Sequence, residues 1–168
     1  MAEQTTKPAA SRAKRPRKAA AAVSAPVVAE PALPRGRTAA LDPREQHELL
    51  HRGVSLFNGV RYWHAHEAWE TLWRAADEEE RDFYQGLIML AAGLLHLQRR
   101  NGRGARNKLS EGLAKLRKYE PTHLGLVLTE LLARCQLILD DLNEGLLPYL
   151  IPPVIRYVEM ERAQDFNR

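Results

Sequence analysis

Between residues 41 and 168 apolar positions recur at helical spacing, and no stretch alternates as a half-buried strand would. Asp42-Pro43 pairs a capping side chain with proline at the first helical position. The first helix is predicted over about 43–57, stopping at Asn58-Gly59 in a left-handed cap. A second follows over about 60–76. The acidic stretch Asp77-Glu78-Glu79-Glu80 suits the positive N-terminus of a third, about 79–100, which closes on Arg99-Arg100-Asn101-Gly102. The fourth spans about 103–119 and ends at Glu120-Pro121. The fifth covers about 123–143, ending at Gly145, and a segment with Pro148, Pro152 and Pro153 leads into a last helix over about 153–165.

The third helix is apolar nearly all round, with Phe83, Leu87, Ile88, Met89, Leu90, Leu94, Leu95 and Leu97 covering every side. Such a helix belongs in the middle of a bundle. Gly86, Ala91, Ala92 and Gly93 would let neighbouring backbones come close. The expected architecture is therefore all-α: a five- to six-helix bundle in which the first two helices form a hairpin against helix three, with four and five on the remaining sides. Gly59 and Tyr62 have the spacing of a tetratricopeptide repeat, but no echo follows.

Charge divides the 168 residues into two parts. Residues 1–40 hold eight basic and two acidic side chains, leaving 17 basic and 19 acidic for 41–168. The tail has few aliphatic side chains larger than alanine, so it cannot offset its ordering entropy and is expected to be disordered. Its run Arg12-Ala-Lys14-Arg15-Pro-Arg17-Lys18 suits nonspecific, salt-sensitive contact with nucleic acid or an acidic surface. The plainer reading is a solubilising tail, and an Arg-rich, acid-poor start also fits an organelle transit peptide. The longest apolar run, Gly86 to Leu97, has 12 residues, well short of the roughly 20 that a membrane span needs. No apolar signal-peptide core is expected, and the lone Cys135 suits a reducing cytoplasm. Cys135 falls on the apolar face of helix five and reads as core rather than nucleophile.

Candidate chemistry lies in the polar residues within the helical pattern. On a wheel, Trp63, His66, Trp69, Leu72, Trp73 and Ala76 share one broad face of helix two, with His66 in its middle, Glu70 on the same side and Glu67 at its edge. An imidazole and a carboxylate among three indoles should be desolvated and therefore partnered. Gln85 and His96 lie on one stripe of helix three. A fold-back near residue 78 would set Glu70 opposite Gln85, and His96 near the start of helix two.

The string Phe57-Asn58-x3-Tyr62-x3-His66-Glu67-x2-Glu70-x2-Trp73-Arg74 is similar to the signature of the domain of unknown function 309 family. Gln85-Gly86-Leu87-Ile88-x2-Ala91-Ala92, His96, Asn101 and Gly104-Ala105 follow in the family's order, so the resemblance covers about 50–118. It implies a small, all-helical bacterial domain in which His66, Glu67, Glu70, Gln85, His96 and Asn101 are family positions. Such proteins are sometimes labelled predicted metal-dependent hydrolases.

Three readings of these residues stand side by side. They form a buried hydrogen-bond network that fixes helix register, a metal or acid–base site, or a small-ligand pocket without chemistry. As a metal site, His66 and Glu70 would ligate Zn, Mn or Fe, His96 would ligate or shuttle protons, and Glu67 would activate water on a small-molecule substrate. Trp63, Trp73, Gln85 and Asn101 would complete the pocket. A second metal motif, His47-Glu48-Leu49-Leu50-His51, fits H-E-x-x-H with Glu70 as downstream ligand, but the peptidases that use it set that helix beside a sheet. The two histidines border the apolar arc and read as polar rim. Arg99, Arg100, Arg103, Arg106 and Lys108 form a basic turn that suits phosphate or RNA, or is simply a solvated helix end. Tyr149, Leu150 and Ile151 suggest a clasp over the bundle, or a patch for a partner or second subunit. Two function classes follow: a metal-dependent hydrolase, or a noncatalytic binding or scaffold domain whose basic tail contacts nucleic acid or an acidic partner.

Overall fold

The structure, a computed structural model, describes residues 38–146 and 151–159. It has five α-helices: α1 Pro43–Asn58, α2 Tyr62–Ala75, α3 Glu78–Gln98, α4 Gly102–Leu116 and α5 Thr129–Asn143. A 3-10 turn, Arg117–Tyr119, extends α4. Three two-residue strands, β1 Thr122–His123, β2 Leu126–Val127 and β3 Arg156–Tyr157, pair antiparallel in the order β1-β2-β3. The class is all-α, as the periodicity predicts. The basic run 12–18, Tyr149, Leu150 and residues 160–165 of the expected last helix lie outside the described residues.

Side-chain caps set the starts of three helices. Asp42 Oδ1 accepts from the Arg44 and Glu45 amides at 2.8 and 3.0 Å. Asp77 Oδ1 accepts from the Glu80 amide at 3.0 Å, and Asn101 Oδ1 from the Gly104 amide at 2.9 Å. Each satisfies an amide that the helix itself leaves without a partner.

Consecutive helices are the main neighbours, so α3 packs between α2 and α4, α1 covers α2, and α5 covers α4. The α3–α4 approach is too close for side chains at several points, of which Gly86 and Gly93 are the tightest. A Cβ added to Gly86 would lie 2.6 Å from Leu116 Cγ, and one on Gly93 would lie 2.7 Å from Leu109 Cγ. Around this contact Phe57, Trp69, Phe83, Leu87, Leu94, Leu109 and Leu116 are sealed from solvent. Cys135 is in the same core, where burial pushes its thiol up to about 12. No helix among the described residues is long and apolar enough to cross a membrane.

Several expected boundaries move. Helix five starts at Thr129 rather than near 123, because Leu124 and Gly125 both take positive φ (46° and 75°) and turn a hairpin between β1 and β2. The described part of the expected last helix, 153–159, is extended. Pro152-Pro153 and the β-branched Val154, Ile155 and Val158 suit an extended chain, and Arg156–Tyr157 adds to the hairpin as β3. After α1 the left-handed residue is Val60 (φ 61°), while Gly59 stays at φ −79°. Asn58 ties the C-terminal segment down: its Nδ2 donates to Ile155 O at 2.9 Å, and its Oδ1 accepts from Ile155 N at 2.8 Å.

Two outcomes follow from these contacts. Asn58→Ala removes both hydrogen bonds and should cost about 1–3 kcal/mol in urea unfolding; an unchanged midpoint contradicts the clamp. Asp82 accepts from Lys115 and Lys118, both at 2.8 Å, and these bonds hold its carboxyl down to about 2. A depressed folded value means stability that is present above the unfolded carboxyl range, near 4, and lost as pH falls toward 2. Asp82→Asn should therefore flatten the stability slope across that window, read from unfolding midpoints at several pH values.

Candidate functional site

The inward stripe of α2 runs through Tyr62, Ala65, Ala68, Trp69 and Leu72. That places His66 at the border of the core rather than between three buried indoles. Only Trp69 is sealed; Trp63 is 49% exposed and Trp73 is half-buried. The His66 ring lies parallel to the Trp63 ring, 3° between planes and 5.7 Å between centroids, with a quarter of its side chain exposed. Its Nδ1 is buried without a hydrogen-bond partner, 3.8 Å from Glu70 Oε2. Glu70 Oε1 accepts instead from Arg74 Nη2 at 2.5 Å.

The antiparallel run of α2 and α3 does bring Gln85 to this place. His66, Glu70, Trp73, Gln85, Ile88 and Met89 line a shallow pocket of about 120 Å³. Glu67 and His96 are not in it. Glu67 lines a different groove, of about 380 Å³ between α1 and α2, with Arg52, Arg61 and His64. His96 is taken up by a cap: Asn101 Nδ2 donates to His96 Nδ1 at 3.1 Å while Asn101 Oδ1 holds the Gly104 amide. That bond makes Nδ1 an acceptor and places the proton of the neutral ring on Nε2. A Cβ on Gly104 would sit 2.8 Å from His96 Cγ, so the glycine is what lets α4 start against this ring.

His47 and His51 sit on a third surface. Their ring centroids are 4.1 Å apart, and His51 stacks on Tyr157 of β3 at 4.5 Å and 13°. Burial, and then the neighbouring His47, lower the His51 pKa. Glu70, the expected third ligand of that pair, belongs to the α2–α3 pocket instead. Among the described residues no three His, Cys, Asp or Glu side chains come together as a metal-holding group. The expected Zn, Mn or Fe site has two ionisable donors here, His66 and Glu70. Arg74 competes for the carboxylate, so this donor set does not fit a three-ligand hydrolytic centre.

What the structure does bring together is a basic end. Gln98 Nε2 donates to Val60 O at 3.2 Å and fastens the end of α3 to the α1–α2 turn. Arg61, Trp63, His64, Arg99, Arg100 and Arg103 are all exposed there. No Asp or Glu occurs in 59–66 or in 83–110. The basic turn is visible in the sequence, and the expected fold-back already sets it near the start of α2; the Gln98–Val60 hydrogen bond fastens that meeting.

The tryptophans separate experimentally. Trp69→Ala should cost about 3–5 kcal/mol of stability as a core truncation, while Trp63→Ala should cost under about 1 kcal/mol as a surface change. Equal losses in chemical unfolding contradict the burial described.

Residues 50–107 match the family model for a domain of unknown function, DUF309. None of the curated proteins matches the chain. The matched span takes in the second half of α1, all of α2 and α3, and the first turns of α4, which carry His66, Glu67, Glu70, Gln85, His96 and Asn101. Residues 50–107 of this chain thus belong to the DUF309 family.

Proposed function

We propose that the domain is a noncatalytic binding module for single-stranded nucleic acid, gripping it at the basic end of the bundle. The observation that carries this reading is the Gln98–Val60 hydrogen bond, which sets the α3–α4 turn beside the exposed Trp63. An indole face accepts any base, and arginines around it attract the backbone, so the pair suits sequence-tolerant recognition. The His66 ring lies parallel to the Trp63 indole, and about half of Trp63 remains exposed for contact with a base. Arg52 and Arg61 in the α1–α2 groove, which Glu67 also lines, add positive charge beside this surface. The tail run 12–18 would add counterion-releasing contacts without sequence preference.

The hydrolase reading keeps one observation of its own: the buried, unpartnered Nδ1 of His66 beside the Glu70 carboxylate. It requires a transition metal and a base from elsewhere, since Glu67 and His96 face other surroundings.

Anisotropy with a fluorescein-labelled oligouridylate tests the binding reading. Trp63→Ala should cost about 1–3 kcal/mol of affinity. Arg99→Gln with Arg100→Gln should lower the log–log salt slope by about 1.4, two single-strand phosphate contacts' worth. No binding by the full chain, or a salt slope unchanged in the double variant, overturns it. Elemental analysis of protein purified without a histidine tag tests the other reading. A stoichiometric transition metal that is lost in His66→Ala supports the hydrolase, and metal-free protein removes its basis.

A further inference from the structure

The turn between α2 and α3, at the other end of α2 from Trp63, holds a cavity that the nucleic-acid reading does not use. We propose that this cavity binds a small primary amine: an ammonium group carried on a short apolar stem. Its volume is about 170 Å³. Protein cavities of about 150 Å³ accommodate benzene, so a stem of five or so carbons is of the right size.

The lining matches that ligand in its two parts. Ala40, Leu72 and Ala76 supply apolar wall, and Asp77, Glu80 and Tyr84 supply the polar part. Tyr84 is 6% exposed, and its hydroxyl makes no hydrogen bond among the described residues. The hydroxyl is the part of the residue that keeps contact with solvent, so its oxygen is open to a ligand that enters the cavity. Burial, reinforced by the Glu80 and Asp77 charges, pushes the Tyr84 hydroxyl up to about 12, so it remains a neutral hydroxyl at ordinary pH.

The carboxylates are partly committed, and what remains is acceptor capacity. Asp77 Oδ1 caps the Glu80 amide, leaving Oδ2. Glu80 Oε2 meets His123 Nε2 at 2.9 Å, leaving Oε1. Gln46, also in the lining, donates Nε2 to Leu41 O at 2.9 Å, which holds the segment with Ala40 against the cavity and leaves the amide oxygen free to accept. Among the described residues no Arg or Lys lines the space. Two carboxylate side chains, an amide side chain and a phenol line one site that also has an apolar wall. An ammonium offers three donors and a compensating charge, whereas an anion or a neutral alcohol leaves acceptors unmatched. The same chemistry can arrive as a free alkylamine or as the lysine side chain of a polypeptide.

Calorimetric titration of the full chain tests the proposal with three probes: n-pentylamine, n-pentanol and Nα-acetyl-lysine amide. Pentylamine should bind saturably and raise Tm, with pentanol weaker by roughly tenfold or more because it lacks the charge-assisted bonds. Asp77→Asn keeps the helix cap and removes one charge, so it should weaken pentylamine by a similar factor. Tyr84→Phe, which keeps the ring and deletes only the hydroxyl, is the second variant and should weaken it several-fold. Tighter binding of the acetyl-lysine amide identifies a polypeptide lysine as the source; tighter binding of pentylamine identifies a free amine. Absence of saturable pentylamine binding, equal affinity for pentanol, or unchanged affinity in both variants overturns the proposal. None of these readouts depends on nucleic-acid binding.

Discussion

The approach of α3 to α4 is the contact on which the arrangement rests. Gly86 and Gly93 face Leu116 and Leu109 so closely that a methyl group at either glycine would overlap a leucine. Close-packed interiors accommodate such overlap poorly. The two helices are therefore locked in one register, and that register decides what meets at each end. With α3 held in place, its last turn reaches the α1–α2 turn through Gln98, and its first turn lies against the chain around Ala40 and Gln46. The two surfaces proposed for binding sit at the ends of α3, because its length is spent on burial.

This geometry also explains why the family residues are not gathered in one place. His66 and Glu70 look across at Gln85, Glu67 turns into the α1–α2 groove, and His96 is enclosed in the cap of α4. These residues lie in separate surroundings: a ring parallel to Trp63, a groove wall, and a joint between two helices. The His96–Asn101–Gly104 joint is a structural device of the basic end, since it sets the direction in which the chain leaves α3 and carries Arg99, Arg100 and Arg103 outward.

Much of the fold was legible in the sequence. Asp42-Pro43 and Asp77 announced helix starts, and the all-round apolar pattern of 83–97 announced the central helix, because both signals are local. The misread features depend on tertiary context. The Leu124-Gly125 turn places a leucine at positive φ, which no propensity favours, and β3 exists only because the hairpin offers it an edge. The wheel of α2 misled for a related reason. Its three tryptophans were weighted as core, whereas the alanines Ala65 and Ala68 mark the buried stripe and Trp63 is left at the surface. Of the site, the His66, Glu70 and Gln85 grouping was readable from antiparallel register alone. The same register sets the end of α3 near the start of α2, whereas the cavity around Tyr84 was not readable, because it joins α1, α2 and α3 with the chain before α1.

The central claim is that the exposed indole beside the arginine-rich turn is the contact surface. Its most direct measurement is the set of three indole N–H signals in a nitrogen–proton correlation spectrum during titration with oligouridylate. The account predicts that the Trp63 signal shifts progressively while Trp69, buried in the core, and Trp73, on the α2–α3 pocket, hold their positions. A Trp73 signal that moves while Trp63 stays fixed would contradict it and return attention to His66 and Glu70.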